Sequence, residues 1–236
     1  MSTLLLCIGL GIFLSAGNWQ LNRAAEKQAR VDSFENADRM PLTVLPADTA
    51  EAESLLFRRF AVEGSYQPEQ QILLDNMVSG GEVGFQVLTP LRLNDQTWLL
   101  VNRGWVKGDS NRAALPDVNV SPETRTITGR LAFLPAPGLR MDQPAESSAG
   151  EVWPRRMTWP TTADIAAALA LQDGDRLLEW QLLLDADEPD GYRRDWQPEA
   201  MGPERHLGYA VQWFSFAALA LIIYILFHVR WVNSIK

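Results

Sequence analysis

The sequence reads TLLLCIGLGIFLSA at residues 3–16 and LGYAVQWFSFAALALIIYILF at residues 207–227, and neither run holds a charged side chain. A helix needs about 20 apolar residues to cross a bilayer's hydrocarbon core, so the second run suffices by itself. The first reaches that length when Met1, Ser2 and the Gly17-Asn18-Trp19 exit are counted with it. The intervening stretch is too long for a hairpin loop and too polar for the membrane. These runs therefore predict an α+β membrane protein. Two transmembrane helices flank a small, mostly antiparallel β-rich domain that carries one short helix.

Of the 236 residues, 47% are hydrophobic and 21% charged. Without its anchors the chain keeps roughly 150 to 180 residues, enough to bury a core without staples. A formal net charge of -8 argues against nucleic acid as a partner, since that requires a basic face. The single cysteine, Cys7, lies in the first apolar run, so no disulfide forms within the chain. No Lys or Arg precedes that run and no small-x-small site precedes Asn18, so it is expected to stay as an anchor and not to be cleaved. Near the membrane, Arg23, Lys27, Arg30, Arg193, Arg194 and Arg205 lie on the domain side, against Arg230, Lys236 and the amino terminus on the other. That count alone puts the domain in the cytoplasm, although the rule weakens for long translocated domains.

Residues 19–37 contain neither Gly nor Pro and favour a helix running beyond the bilayer, ended by Pro41 and Pro46. Short runs rich in β-branched and aromatic residues follow at 57–66, 71–78, 84–93 and 97–106, punctuated by Gln67-Pro68, Gly80-Gly81 and Asn94-Asp95. Further strands are expected at 124–134 and 176–186, with a helix at 161–171 whose cap is Thr161 or Thr162. Residues 135–150 read as a Pro- and Gly-rich loop. Five or six antiparallel strands and a helix make a small β-rich domain, with a partly closed barrel as one arrangement open to it. The expected layout is a first transmembrane helix at 1–21, a helical extension at 22–40, the β-rich domain at 41–205, a second transmembrane helix at 206–228 and a tail at 229–236.

The only two histidines, His206 and His228, flank the second span. Twenty-two residues of helix separate them by about 33 Å, so they cannot share one metal ion within that helix. Tyr209, Ala210, Trp213 and Phe214 follow His206 at i+3, i+4, i+7 and i+8. This stripe suits either a planar macrocycle with His206 as axial ligand or an aromatic belt at the lipid headgroups. Trp19, Arg23, Lys27 and Arg30 share a face of the first helix, where they can meet cofactor propionates or the phosphates of membrane lipid. The middle domain has neither His nor Cys, which excludes Ser-His and Cys-His nucleophilic catalysis. In the strand at 97–106, Arg103 sits among apolar residues and requires a counter-charge if it is covered, or else faces a partner.

Three motifs carry a family resemblance. Gly17, Trp19, Gln20, Arg23 and Lys27 match a Gly-x-Trp-Gln-x-x-Arg-x-x-x-Lys motif behind the first span. Asn102, Arg103, Gly104 and Trp105 match a central strand motif. His206, Gly208, Tyr209, Ala210, Gln212, Trp213 and Phe214 match a second-span signature. Together they resemble the Surfeit locus protein one (Shy) family, whose bacterial members assist assembly of cytochrome c oxidase. The resemblance implies a non-enzymatic factor of the bacterial inner membrane, multi-pass, with its domain facing the periplasm. It implies transient handling of haem a, delivered to oxidase subunit I, with haem a synthase as a further partner. The residue it points to is His206, as metal ligand; by their helix faces, Tyr209 and Trp213 would pack the ring and Arg23 or Lys27 would neutralise its propionates. Arg103 and Trp105 are expected to contact a partner protein. The alternative is a membrane-anchored scaffold for oxidase assembly that holds no stable haem.

Overall fold

A computed structural model describes residues 2–37, 44–109, 114–135, 153–197 and 202–234. Within it the chain forms two compact units, a helix pair (residues 1–35 with 197–236) and a β domain (residues 36–196).

The helix pair consists of α1 (Ser2–Asn36) and α4 (Pro203–Ser234). Both are long and apolar enough to cross a membrane. At 1.5 Å per residue α1 is about 52 Å long, well beyond the ~30 Å of a hydrocarbon core. Its charged turns from Arg23 onward therefore extend past the span. The less exposed positions of α4 fall at Pro203, His206, Ala210, Trp213, Ala217, Ala220 and Tyr224, with Phe214 alongside Trp213. That alternation of three and four is a heptad seam. On α1, Phe13, Gly17, Gln20, Ala24 and Lys27 repeat the same spacing. The helices run antiparallel, since the Thr3 and Tyr224 hydroxyls meet at 2.8 Å while Phe13 stacks on Trp213 at 6.0 Å. Gly17 is the close point: a Cβ there would lie 2.7 Å from the Phe214 ring. α4 starts at Pro203 and continues to Ser234, so residues 229–234, expected in a tail, are helical.

The β domain has seven strands: β1 (Arg59–Tyr66), β2 (Ile72–Ser79), β3 (Glu82–Arg92), β4 (Thr97–Lys107), β5 (Thr124–Phe133), β6 (Arg155–Met157) and β7 (Arg176–Leu184). Their order is β1-β5-β7-β4-β3-β2-β6, with β1 also pairing β3. That last contact, through Ser65–Arg92 and Tyr66–Leu91, closes β1, β5, β7, β4 and β3 into a five-stranded barrel. Five-stranded Greek-key barrels of this size include the OB-fold. β2 occupies the rest of the same β3 edge, and β6 extends the sheet from it. The sheet is mostly antiparallel; β4–β7 and β2–β6 are parallel.

Alternation puts Phe60, Val62 and Tyr66 of β1 and Leu178, Trp180, Leu182 and Leu184 of β7 inside the barrel. β4 is apolar on both faces: Leu99 and Val101 point into the barrel, while Trp98 and Leu100 join a second core under α3 (Thr162–Ala168). This explains the unbroken run Trp98-Leu-Leu-Val101. A reciprocal capping box between Thr161 and Asp164 starts α3.

Three features were not expected from the sequence: β6, the helix α2 (Thr49–Ser54) and the parallel pairings. Residues 38–40 of the expected helical extension, residues 136–150 of the expected loop, residues 198–201 and the end of the tail lie outside the described residues.

Candidate functional site

Two polar centres stand out, one in each unit. In the helix pair, Gln20 is buried and its Oε1 lies 2.7 Å from Nδ1 of His206, which is half-buried in the first turn of α4. The bond joins two of the three motifs across 186 residues of sequence. It sits at the end of the pair from which both helices lead into the β domain. Its cause is the seam: positions 20 and 206 are both heptad positions, and each helix presents a polar side chain there.

The neighbouring residues divide. Trp213 is drawn into the seam, stacked on Phe13 and edge-on to Phe216 at 5.9 Å. Tyr209 lies outside it, 54% exposed. Arg23 is exposed, ion-paired to Glu26 at 2.7 Å and placed over the Trp19 ring at 5.8 Å. Lys27 is half-buried on the seam. Along α1, Arg23 and Lys27 are about 4.5 Å and 10.5 Å beyond Gln20. The structure thus places His206, Gln20, Arg23 and Lys27 within two turns of one end of the pair, with Tyr209 open to the surroundings and Trp213 turned inward. His228 stacks on Tyr224 at 5.8 Å, toward the other end.

Among the described residues no three His, Cys, Asp or Glu side chains gather as metal ligands. A single imidazole does not hold a bare ion. A haem brings four ring nitrogens of its own and asks the protein only for axial ligation, so the donor set fits a haem better than a bare metal ion.

The second centre is Arg103, which is 1% exposed. Between Asn102 and Trp105, β4 carries one residue more than β3, because Gln86 pairs Trp105 and Leu88 pairs Asn102. This bulge occurs at Gly104, whose φ of +111° suits glycine, and a Cβ there would lie 2.7 Å from the Arg193 carbonyl. The bulge turns Arg103 inward. Its Nε donates to the Asp190 carbonyl at 2.8 Å, and its Nη1 donates to Gln71 Oε1 at 2.9 Å and to the Val118 carbonyl at 2.8 Å. Nη2 reaches the Asn119 carbonyl at 3.2 Å. The Tyr192 and Tyr66 rings face the guanidinium at 5.2 and 6.0 Å. The expected counter-charge is therefore supplied chiefly as carbonyl dipoles and ring faces. Burial lowers the Arg103 pKa, opposed by the neighbouring tyrosines and Asp190.

Trp105 is also buried, its Nε1 donating to the Met77 carbonyl at 2.8 Å, while its backbone pairs with Arg193. Neither Arg103 nor Trp105 presents its side chain at the surface of the domain. Arg103 ties down the segments at 114–123 and 186–194, and Trp105 the second of them, so any contact with a partner would pass through those segments. Tyr66, Tyr192 and Gln71 belong to this centre and were not singled out in the sequence. Their only signal was the glycine inside a strand pattern, which marks a bulge.

The chain is similar to known proteins over most of its length. The model of the SURF1 family matches residues 7–218. A SURF1-like protein of Rickettsia felis is 26% identical over 96% of this chain and 96% of its own length. An uncharacterized SURF1-like protein of Mycobacterium tuberculosis is 27% identical, covering 86% of this chain and 73% of its own. Surfeit locus protein 1 of Takifugu rubripes is 29% identical over 46% of this chain and 48% of its own. The matched span takes in all three motifs and both centres, and on that ground the chain belongs to the SURF1 family.

Proposed function

We propose that this protein assists assembly of a haem–copper cytochrome c oxidase, holding haem a at the domain-side end of its helix pair and passing it to the oxidase's largest subunit. The observation that carries this reading is the Gln20–His206 bond. It fixes the chain's one well-placed imidazole where two family motifs converge, beside two cations. In this reading His206 would supply the iron ligand. Arg23 and Lys27 would neutralise the propionates and Tyr209 would pack beside the macrocycle, while Trp213 braces the helix that carries the ligand. The β domain faces the periplasm of a bacterial inner membrane, and haem a synthase supplies the cargo. No enzymatic step is assigned to the chain.

The test is made in cells. In a strain lacking this protein, the purified oxidase should contain substoichiometric haem a. The wild-type gene should restore it, and His206→Ala should not. Full restoration by His206→Ala removes the ligand assignment.

A second reading, a scaffold without stable haem, is favoured by Gln212. This side chain is exposed two turns inside the second span, and an amide facing lipid is costly unless another helix satisfies it. If a helix of the oxidase's largest subunit does so, Gln212→Leu should weaken recovery of that subunit with this protein. Undiminished recovery counts against it.

A further inference from the structure

The geometry points to Gln20 as a positioning residue: we infer that its side-chain carbonyl fixes His206 as the Nδ1–H tautomer and so leaves Nε2 as the bare, ligand-competent nitrogen. This deepens the haem reading and rests on it for its consequence, though the tautomer itself exists without any haem. A carboxamide oxygen only accepts hydrogen bonds. With Oε1 2.7 Å from Nδ1, the hydrogen of a neutral imidazole lies on Nδ1. A neutral ring has one N–H, so Nε2 carries a lone pair.

Gln20 is well placed to impose this choice. It is only 9% exposed, on a seam that both helices share. The seam is close-packed just below, where Gly17 accepts the Phe214 ring. The side chain therefore has little room to swing away from the ring. An imidazole free in water prefers the opposite tautomer, with hydrogen on Nε2, so the bond changes the outcome and does not merely record it. Partners that hold the second nitrogen of a ligating histidine orient the ring and raise its basicity, and losing one typically costs 10- to 100-fold in metal affinity.

The experiment uses the full chain without haem, in detergent, with ¹⁵N-labelled histidine and a His228→Gln background so that one imidazole is observed. At a pH of about 8, the ¹⁵N spectrum should show His206 protonated at Nδ1. Gln20→Leu should shift the population toward Nε2–H, and Gln20→Glu, which keeps an acceptor oxygen, should retain the wild-type tautomer. A wild-type spectrum showing Nε2–H, or a Gln20→Leu spectrum equal to wild type, overturns the inference. Titration with ferric protohaem then reads the consequence, a 10- to 100-fold weaker Kd in Gln20→Leu. If the tautomer responds as expected but protohaem binding is unaffected by His206→Ala, the role of Gln20 stands and the ligand reading fails.

Discussion

Replacing Arg103 with methionine removes every donor of the guanidinium while keeping a side chain of similar length. Four hydrogen bonds between 2.8 and 3.2 Å disappear, three of them to backbone carbonyls at Val118, Asn119 and Asp190. Bonds to a charged group contribute about 1.5–3 kcal/mol each. They are not additive here, because water entering the site re-solvates part of what is exposed and the cost of burying the charge is relieved. Each buried acceptor left without a donor costs about 1–3 kcal/mol, which after partial re-solvation sets the expected loss at about 4 kcal/mol. For a domain spanning residues 36–196, one kcal/mol moves Tm by about 2–4 °C, so a drop of about 8–16 °C is expected. Scanning calorimetry on the detergent-purified protein reads it, with near-ultraviolet circular dichroism reporting the buried Trp180 and Trp105. Arg103→Lys keeps the charge but loses the planar fork, and should fall between the two. A methionine variant melting within about 3 °C of wild type would refute the view that Arg103 holds the 114–123 and 186–194 segments together.

Burial pushes the Tyr66 phenol up to about 12, against the opposing pull of Arg103 and Arg125. In the unfolded chain it titrates near 10, so between about pH 10 and 12 only the folded state keeps the proton. Stability present below pH 10 should then fall by up to ~2.7 kcal/mol as pH rises through that window. Tyr66→Phe should flatten this alkaline loss, and because the buried hydroxyl has no hydrogen-bond partner among the described residues, the variant should cost little at neutral pH. In the helix pair, Gly17→Leu would drive a side chain into the Phe214 ring. It should part the Phe13–Trp213 stack and lower the melting midpoint of the helix pair, read by far-ultraviolet circular dichroism in detergent.

The spans were legible because a membrane demands an uninterrupted apolar run, and residues 207–227 supply one. Most strands were legible because their edges coincide with turn residues such as Gly80-Gly81 and Asn94-Asp95. β6 was not: its three residues, Arg155–Met157, are too short and too basic to show a period. The helix α2 left a readable trace, since Asp48 accepts from the Glu51 amide as an N-cap, but six residues fall below what periodicity resolves. The parallel match of β4 with β7 is set by barrel closure, which no local pattern encodes. The same holds at the candidate site. The motifs named Gln20 and His206 separately, but only the antiparallel register of two helices brings them to 2.7 Å. Arg103 was conspicuous as a cation in an apolar strand, yet its inward turn depends on a bulge at Gly104 that spacing cannot orient.

The central claim is that the His206 imidazole is the group by which this chain holds haem. Chemical rescue tests it most directly, using protein purified from cells that make haem a. His206→Gly should lack the wild-type Soret band, and added imidazole should restore it by filling the vacated place. A His206→Gly protein that keeps the wild-type spectrum without imidazole would contradict the claim.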